Sequence, residues 1–353
     1  MQREKKFGSR ASKITDEFLI LNEGAFLYRR APNNLRGIIL MSNNNNNKSK
    51  LKKLKFNGKV RSKKLINENI AGYLFAAPWL IGFTVFILGP IIASFYFSFT
   101  KYDVLSSPVW KGLENYNTIL LDELFWKVLG NTLFYTAFSV PLAVFGSLLL
   151  AVLLNNKIKG INIFRTIFYL PSVTGGVAMA LLWLWFFDPG AGIINMGLRM
   201  LGKQGPLWFQ SEIWAKPTMV ICSLIAIGGD RCLLFLAALQ GIPQSLYEAA
   251  DIDGASWWTK FRYITVPMVS PIIFLNIMIS IIKSFRVFTN AYVITGGGPL
   301  NGTLFLVLYI YKNAFTFLKM GYASALAWIF FIIVFVFSLI QLWLSKKWVY
   351  YET

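Results

Sequence analysis

The sequence predicts an all-α membrane protein with six transmembrane helices and a short helix held in a polar loop between two of them. Three observations carry that expectation. Mean hydropathy is +0.53 and 56% of the 353 residues are hydrophobic, above the apolar share of a soluble domain. The apolar residues fall in long uncharged blocks rather than at amphipathic spacing. Lys and Arg are spread unevenly over the segments between the blocks, in the pattern that orients membrane helices.

Five blocks are long enough to cross a bilayer, for which about 20 apolar residues suffice as a helix. Uncharged runs of 32, 29, 22, 20 and 26 residues follow Glu68, Lys127, Arg165, Arg262 and Lys319. A sixth block, 217–240, is apolar except for Asp230 and Arg231 near its middle. Charges at that depth are costly, so such a helix must face protein or water there. The expected spans are 71–99, 128–155, 164–187, 217–240, 266–290 and 321–345. The segment 303–318 is broken by Lys312 and Asn313 and reads as an interfacial helix in an outer loop.

With both termini inside, the cytoplasmic segments hold 24 of the 35 Lys and Arg and the outer loops 8. That predicts a multi-pass membrane protein with both ends cytoplasmic. The net charge of +19 does not point to nucleic acid, because residues 1–70 alone hold 17 basic and 5 acidic residues. A basic segment beside a membrane sets topology or touches anionic lipid. The tail, with its Asn run at 43–47, reads as disordered. Met41 is a candidate start, which would make residues 1–40 an upstream extension. No cleavable signal peptide is expected, since the first apolar block is too long and too deep. Histidine is absent and the 2 cysteines, Cys222 and Cys232, lack metal-ligand spacing; no metal site or His-based catalysis is expected.

The loop 241–267 (GIPQSLYEAADIDGASWWTKFRYITVP) is too elaborate for a simple connection. Helix formers at 246–251, a glycine at 254, an aromatic run and Pro267 read as two short helices around a bend, since Gly254 permits a turn that a Cβ hinders. Such a unit is either a rigid knob projecting from the membrane or an amphipathic helix lying on it.

Glu248-Ala249-Ala250, Gly254 four residues later, and Ile264-Thr265-Val266-Pro267 resemble the EAA signature of ABC importer permeases. The first span YLFAAPWLIGFTVFILGPIIASFYFSFTKYD, GLENY at 112–116, FRTIFYLPSV at 164–173, FLAALQGIP at 235–243, YVITGGGP at 292–299, GYASALAW at 321–328 and WVYYE at 348–352 are similar to its carbohydrate-uptake branch. The likeness covers about 70–352 and none of 1–69. It implies the MetI-like inner-membrane fold of binding-protein-dependent transporters over residues 71–348, carrying a sugar or oligosaccharide. It also implies a coupling helix that docks on a cytoplasmic ATPase through Glu248, Ala249, Ala250, Asp251, Gly254 and Pro267. The implied partners are a second homologous permease, ATP-binding cassette subunits and an extracellular or periplasmic solute-binding protein. The chain has no Gly-x-x-x-x-Gly-Lys-Ser/Thr loop, so it is expected not to be an enzyme or bind a cofactor; ATP and Mg²⁺ would sit on the partner ATPases.

Two places depart from the family picture. Asp230 and Arg231 are adjacent and point about 100° apart on a helix, so they cannot simply pair with each other. Each has a partner on a neighbouring helix or reaches an aqueous interface, or one of them, Arg231 rather than Asp230, lines the translocation path. Lys283 and Arg286 share one helix face; together with Asn290 they either line the path, suiting an anionic or heavily hydroxylated solute, or snorkel at the outer interface. The span aromatics Phe134, Tyr135, Trp183, Trp185 and Phe186 stack on sugar rings or pack the bundle. Two other classes compete. A secondary transporter would show inverted repeats with interrupted spans in matching positions, whereas Pro90, Pro141, Pro171 and Pro271 are scattered. A membrane enzyme would need histidine or clustered carboxylates within its spans, and the sequence offers neither.

Overall fold

The computed structural model describes residues 18–21, 25–28, 40–42, 63–156 and 159–350, and its chain divides into units at 1–82 and 83–353. In the first unit, β1 (Phe18–Leu21), β2 (Ala25–Tyr28) and β3 (Leu40–Ser42) form an antiparallel sheet in the order β1-β2-β3, with Phe18 opposite Tyr28 and Phe26 opposite Met41. The expectation of disorder over 1–70 otherwise lies outside the described residues. Helix α1 (Lys63–Phe83) begins the first apolar block.

In the second unit a π turn at Thr84–Leu88 leads into α2 (Gly89–Ser98). A two-residue hairpin, β4 (Thr100–Lys101) with β5 (Val109–Trp110), and the short α3 (Glu114–Leu121) follow. The spine is α4 (Glu123–Leu154), a 32-residue helix. Its buried residues recur at three- and four-residue intervals from Phe125 to Leu154, the mark of a helix with one face in a core. That face joins two hydrophobic clusters. Phe125, Val128 and Tyr135 pack with Trp183, Phe305, Leu308 and Leu326; Val140, Val144, Leu148 and Ala151 pack with Phe235, Leu239, Phe261 and Val269.

Among the described residues, three stretches are long and apolar enough to cross a membrane: Gly72–Ser98, Glu123–Leu154 and Met320–Ser345, the last being α14. Up to five qualify when each of two bent pairs is taken as one span. The expected span 164–187 is such a pair. Helix α5 (Ile161–Val173) and α6 (Gly176–Phe186) meet at 99° across Thr174 and Gly175, whose ψ angles of 135° and 137° are extended rather than helical. After α7 (Ile193–Met200), the expected span 217–240 is also broken, into α8 (Glu212–Ser223), a 3₁₀ segment at Leu224–Gly228 and α9 (Asp230–Gln240). The second bent pair is α11 (Trp257–Met268) with α12 (Ser270–Phe285), at 68°. Pro271 sits in the first turn of α12, where its missing N–H costs nothing. Helix α12 ends at Phe285, short of the expected 290.

The segment expected as an interfacial helix also differs. Helix α13 (Leu306–Tyr311) is in the core, with Leu306 and Leu308 fully buried. Lys312, which breaks its apolar pattern, places Nζ 2.5 Å from the Gly296 carbonyl, so its donor is satisfied within the protein.

Asp122 joins three of these elements. Its Oδ1 accepts from the Leu124 N–H at 2.9 Å, capping α4, and its Oδ2 accepts from the phenols of Tyr309 at 2.5 Å and Tyr322 at 2.9 Å. Partial burial works against the charged form, but donation from Tyr309, Tyr322 and the backbone outweighs it and holds the carboxyl below its ordinary range. A depressed folded-state value gives stability present above the ordinary carboxylate pKa and lost as pH falls through the folded value. Asp122→Ala should lower the melting temperature of the detergent-solubilised protein, the cap alone accounting for about 1 kcal/mol. Asp122→Asn should keep part of that stability and abolish its decline in acid.

Candidate functional site

The loop 241–267 is a helix–turn–helix with internal fastenings. Helix α10 (Gln244–Ile252) begins after Pro243 and closes with two reversed bonds. The Ala255 N–H donates to the Ala250 carbonyl at 2.9 Å and the Gly254 N–H to the Asp251 carbonyl at 3.1 Å. This is the Schellman arrangement, which needs a left-handed residue just past the helix end; Gly254 supplies it with φ +70°. A Cβ there would meet nothing within 4 Å, so backbone conformation alone demands glycine. Helix α11 is then capped by Ser256, whose Oγ accepts from the Thr259 N–H.

Two side-chain pairs fix the angle between α10 and α11. Lys260 Nζ lies 2.6 Å from Asp251 Oδ1, and the hydroxyls of Tyr247 and Thr265 are 2.9 Å apart. The root is held in the second core by Ile242 and Phe261. The outer surface is unusually apolar: Ile252 is 88% exposed, and Trp257, Trp258 and Tyr263 are also exposed.

The six residues singled out in the loop are therefore gathered on one rigid unit. Glu248 and Ala249 are exposed, Ala250 is half-buried beside them, and Glu248 makes no ion pair or side-chain hydrogen bond among the described residues. Asp251 is engaged with Lys260, a strap that sequence reading missed although nine residues separate the pair. Pro267 lies half-buried in the last turn of α11.

The second set of residues lies on α9 and α12. Arg231 Nη1 donates to Ser280 Oγ at 3.1 Å, and Lys283 Nζ stands 3.9 Å from Asp230 Oδ2. Both charges of α9 thus have partners on a neighbouring helix. Arg286 is the exposed C-terminal cap of α12, one turn from Lys283. Asn290 falls beyond the end of α12 and leaves that face. Sequence reading also missed Asn276, Ser280 and Ser284, although their four-residue spacing in an apolar span is a legible polar stripe. Ser284 Oγ donates to Thr136 Oγ1 of α4 at 2.9 Å, and the buried Asn276 amide has no hydrogen-bond partner among the described residues.

Of the aromatics, Tyr135 and Trp183 are core residues, while Trp185 is exposed. An apolar cleft of about 640 Å³ opens between α4, α12 and α14, lined by Val140, Val144, Leu148, Ile277, Ile281 and Phe337 among others. The charged set does not border it. Among the described residues no group of three or more His, Cys, Asp or Glu could hold a metal ion.

A polytopic helical bundle with polar groups inside its apolar helices and a rigid knob at one end is the architecture of a membrane permease. The chain belongs to the family of binding-protein-dependent transport system inner membrane components, whose model matches residues 125–350. It is 43% identical over 298 residues to the probable ABC transporter permease protein YesP of Bacillus subtilis, covering 83% of this chain and 96% of that one. It is 38% identical over 283 residues to the arabinooligosaccharides transport system permease protein AraP of the same organism, covering 79% and 90%. Its fold is similar to a chain in the crystal structure of a bacterial ABC transporter involved in the import of the acidic polysaccharide alginate. The TM-score is 0.71 at 24% identity, covering 81% of this chain and 98% of that one.

A left-handed valine costs about 1–2 kcal/mol, so Gly254→Val should loosen the knob. Limited trypsin digestion after Lys260 and Arg262 should accelerate, with Gly254→Asn intermediate.

Proposed function

We propose that this chain is one permease subunit of an ATP-driven importer of sugars or oligosaccharides, with the knob 241–267 as its coupling element. The observation that carries the reading is a fastened loop presenting an unpaired carboxylate, Glu248, beside small residues and exposed aromatics. Relatives of known name, AraP among them, supply the substrate class. In this reading Glu248 receives a charge-assisted hydrogen bond from a basic group of a cytoplasmic ATPase. Ala249 and Ala250 permit close approach, and Asp251, Gly254 and Pro267 hold the knob's shape. ATP and Mg²⁺ bind to the partner subunits, and closure of two ATPases moves two knobs as rigid bodies.

The chain crosses the membrane six times, with 212–240 as a broken crossing and both termini cytoplasmic. A second, homologous permease completes the path, and an external solute-binding protein delivers the cargo. The test is Glu248→Lys. Membrane insertion should be normal while ATPase association or ATP-dependent uptake falls about tenfold or more, as expected for losing a charged hydrogen bond worth ~1.5–3 kcal/mol. Unchanged uptake would remove Glu248 from the coupling role.

A further inference from the structure

The distance of the charged set from the knob follows from helix geometry. Asp230 begins α9 and Gln240 ends it, next to the knob. Ten steps of 1.5 Å put Asp230 about 15 Å from that end, which on the six-crossing reading is half of a hydrocarbon layer about 30 Å thick. Lys283 stands at the same level, because its Nζ is 3.9 Å from Asp230 Oδ2. Arg231 is level with Ser280, less than one turn from Lys283. On that reading a side chain rooted at half depth reaches neither interface, so snorkelling does not account for Lys283.

Exposure and charge then constrain what faces these groups. The side chains of Lys283 and Asp230 are 65% and 69% exposed, and Arg286 is exposed as well. Charges at this depth face water or protein, never lipid tails. Three cations share the level with one carboxylate, and the one ion pair among them is at the outer limit of contact. Asp230 leaves two positive charges uncompensated. A neutral sugar offers hydroxyls but no charge, whereas an arginine fork and a lysine suit an anionic oxygen pair.

Resting on the importer reading, we propose that Arg231, Lys283 and Arg286 form an anion-binding station halfway along the translocation path, and that the cargo is an acidic oligosaccharide charged by carboxylate or sulfate groups. The complete transporter, with its second permease, ATPases and binding protein, would be tested in proteoliposomes. The probes are trigalacturonate, a sulfated galactose trimer and maltotriose, which separate carboxylate, sulfate and neutral cargo. ATP-dependent uptake of an acidic probe should fall about tenfold or more in the Lys283→Gln, Arg286→Gln double variant, the loss of roughly one charged contact. Lys283→Arg should keep most of it. Uptake of maltotriose alone, or acidic uptake unaffected by the double variant, would overturn the anion station while leaving the importer reading intact. Absence of ATP-dependent uptake for all three would overturn the saccharide-importer reading, and the station with it.

Discussion

A helix that breaks inside a packed core must find partners for its freed backbone groups within the protein, and the break at Leu224–Gly228 is the point on which the neighbouring structure turns. Ser147 of α4 donates through Oγ to the Ile227 carbonyl at 2.8 Å. Gly228 lies against α5 so closely that a Cβ would stand 2.2 Å from the Phe168 carbonyl oxygen. The break is thus clamped from two sides. It restarts the helix at Asp230 and directs Arg231 onto Ser280 of α12. The charges, the break and the polar stripe of α12 form one arrangement rather than three separate irregularities.

The knob is fastened to the same arrangement. Ile242 and Phe261 at its root belong to the core built on the second half of α4, together with Phe235 and Leu239 of α9. The Lys260–Asp251 and Tyr247–Thr265 pairs hold the knob's two helices at a fixed angle. Packed interiors transmit displacement because they have little room to yield. The bend between α11 and α12 lies at Val269, itself fully buried, so even the corner is part of the core.

The helix–turn–helix at 241–267 was legible in the sequence because its parts are local: a helix-forming run, one glycine and an aromatic run within 27 residues. Its residues alone left a projecting knob and a helix lying on the membrane equally open. The breaks in 164–187 and 217–240 were not, because hydropathy reports burial in lipid over a whole window and is blind to a turn of two to five residues flanked by apolar helix. Helix α13 was misjudged for the opposite reason. Lys312 and Asn313 lowered its apparent fitness for the interior, yet Lys312 finds the Gly296 carbonyl and Asn313 the Tyr309 carbonyl. Interrupted spans also prove a poor discriminator between transporter classes. They occur here in a member of the ABC permease family, so matching inverted repeats, not breaks as such, carry the distinction.

Depth is what the third dimension adds to the cations. In the chain, Lys283 stands at the end of an uncharged run and reads equally as an interfacial anchor. On the six-crossing reading its neighbour Asp230 sets it at half depth instead, through a helix whose other end is the knob. That helix, α9, is 11 residues long and too short to bend appreciably. On the proposed reading, a movement imposed on the knob therefore reaches Arg231 and Asp230 as a rigid displacement. The Arg231–Ser280 and Asp230–Lys283 contacts are the first to feel it. A long, exposed ion pair is weak, which suits a contact that must re-form at each cycle. The coupling element and the charged station are then the two ends of one lever.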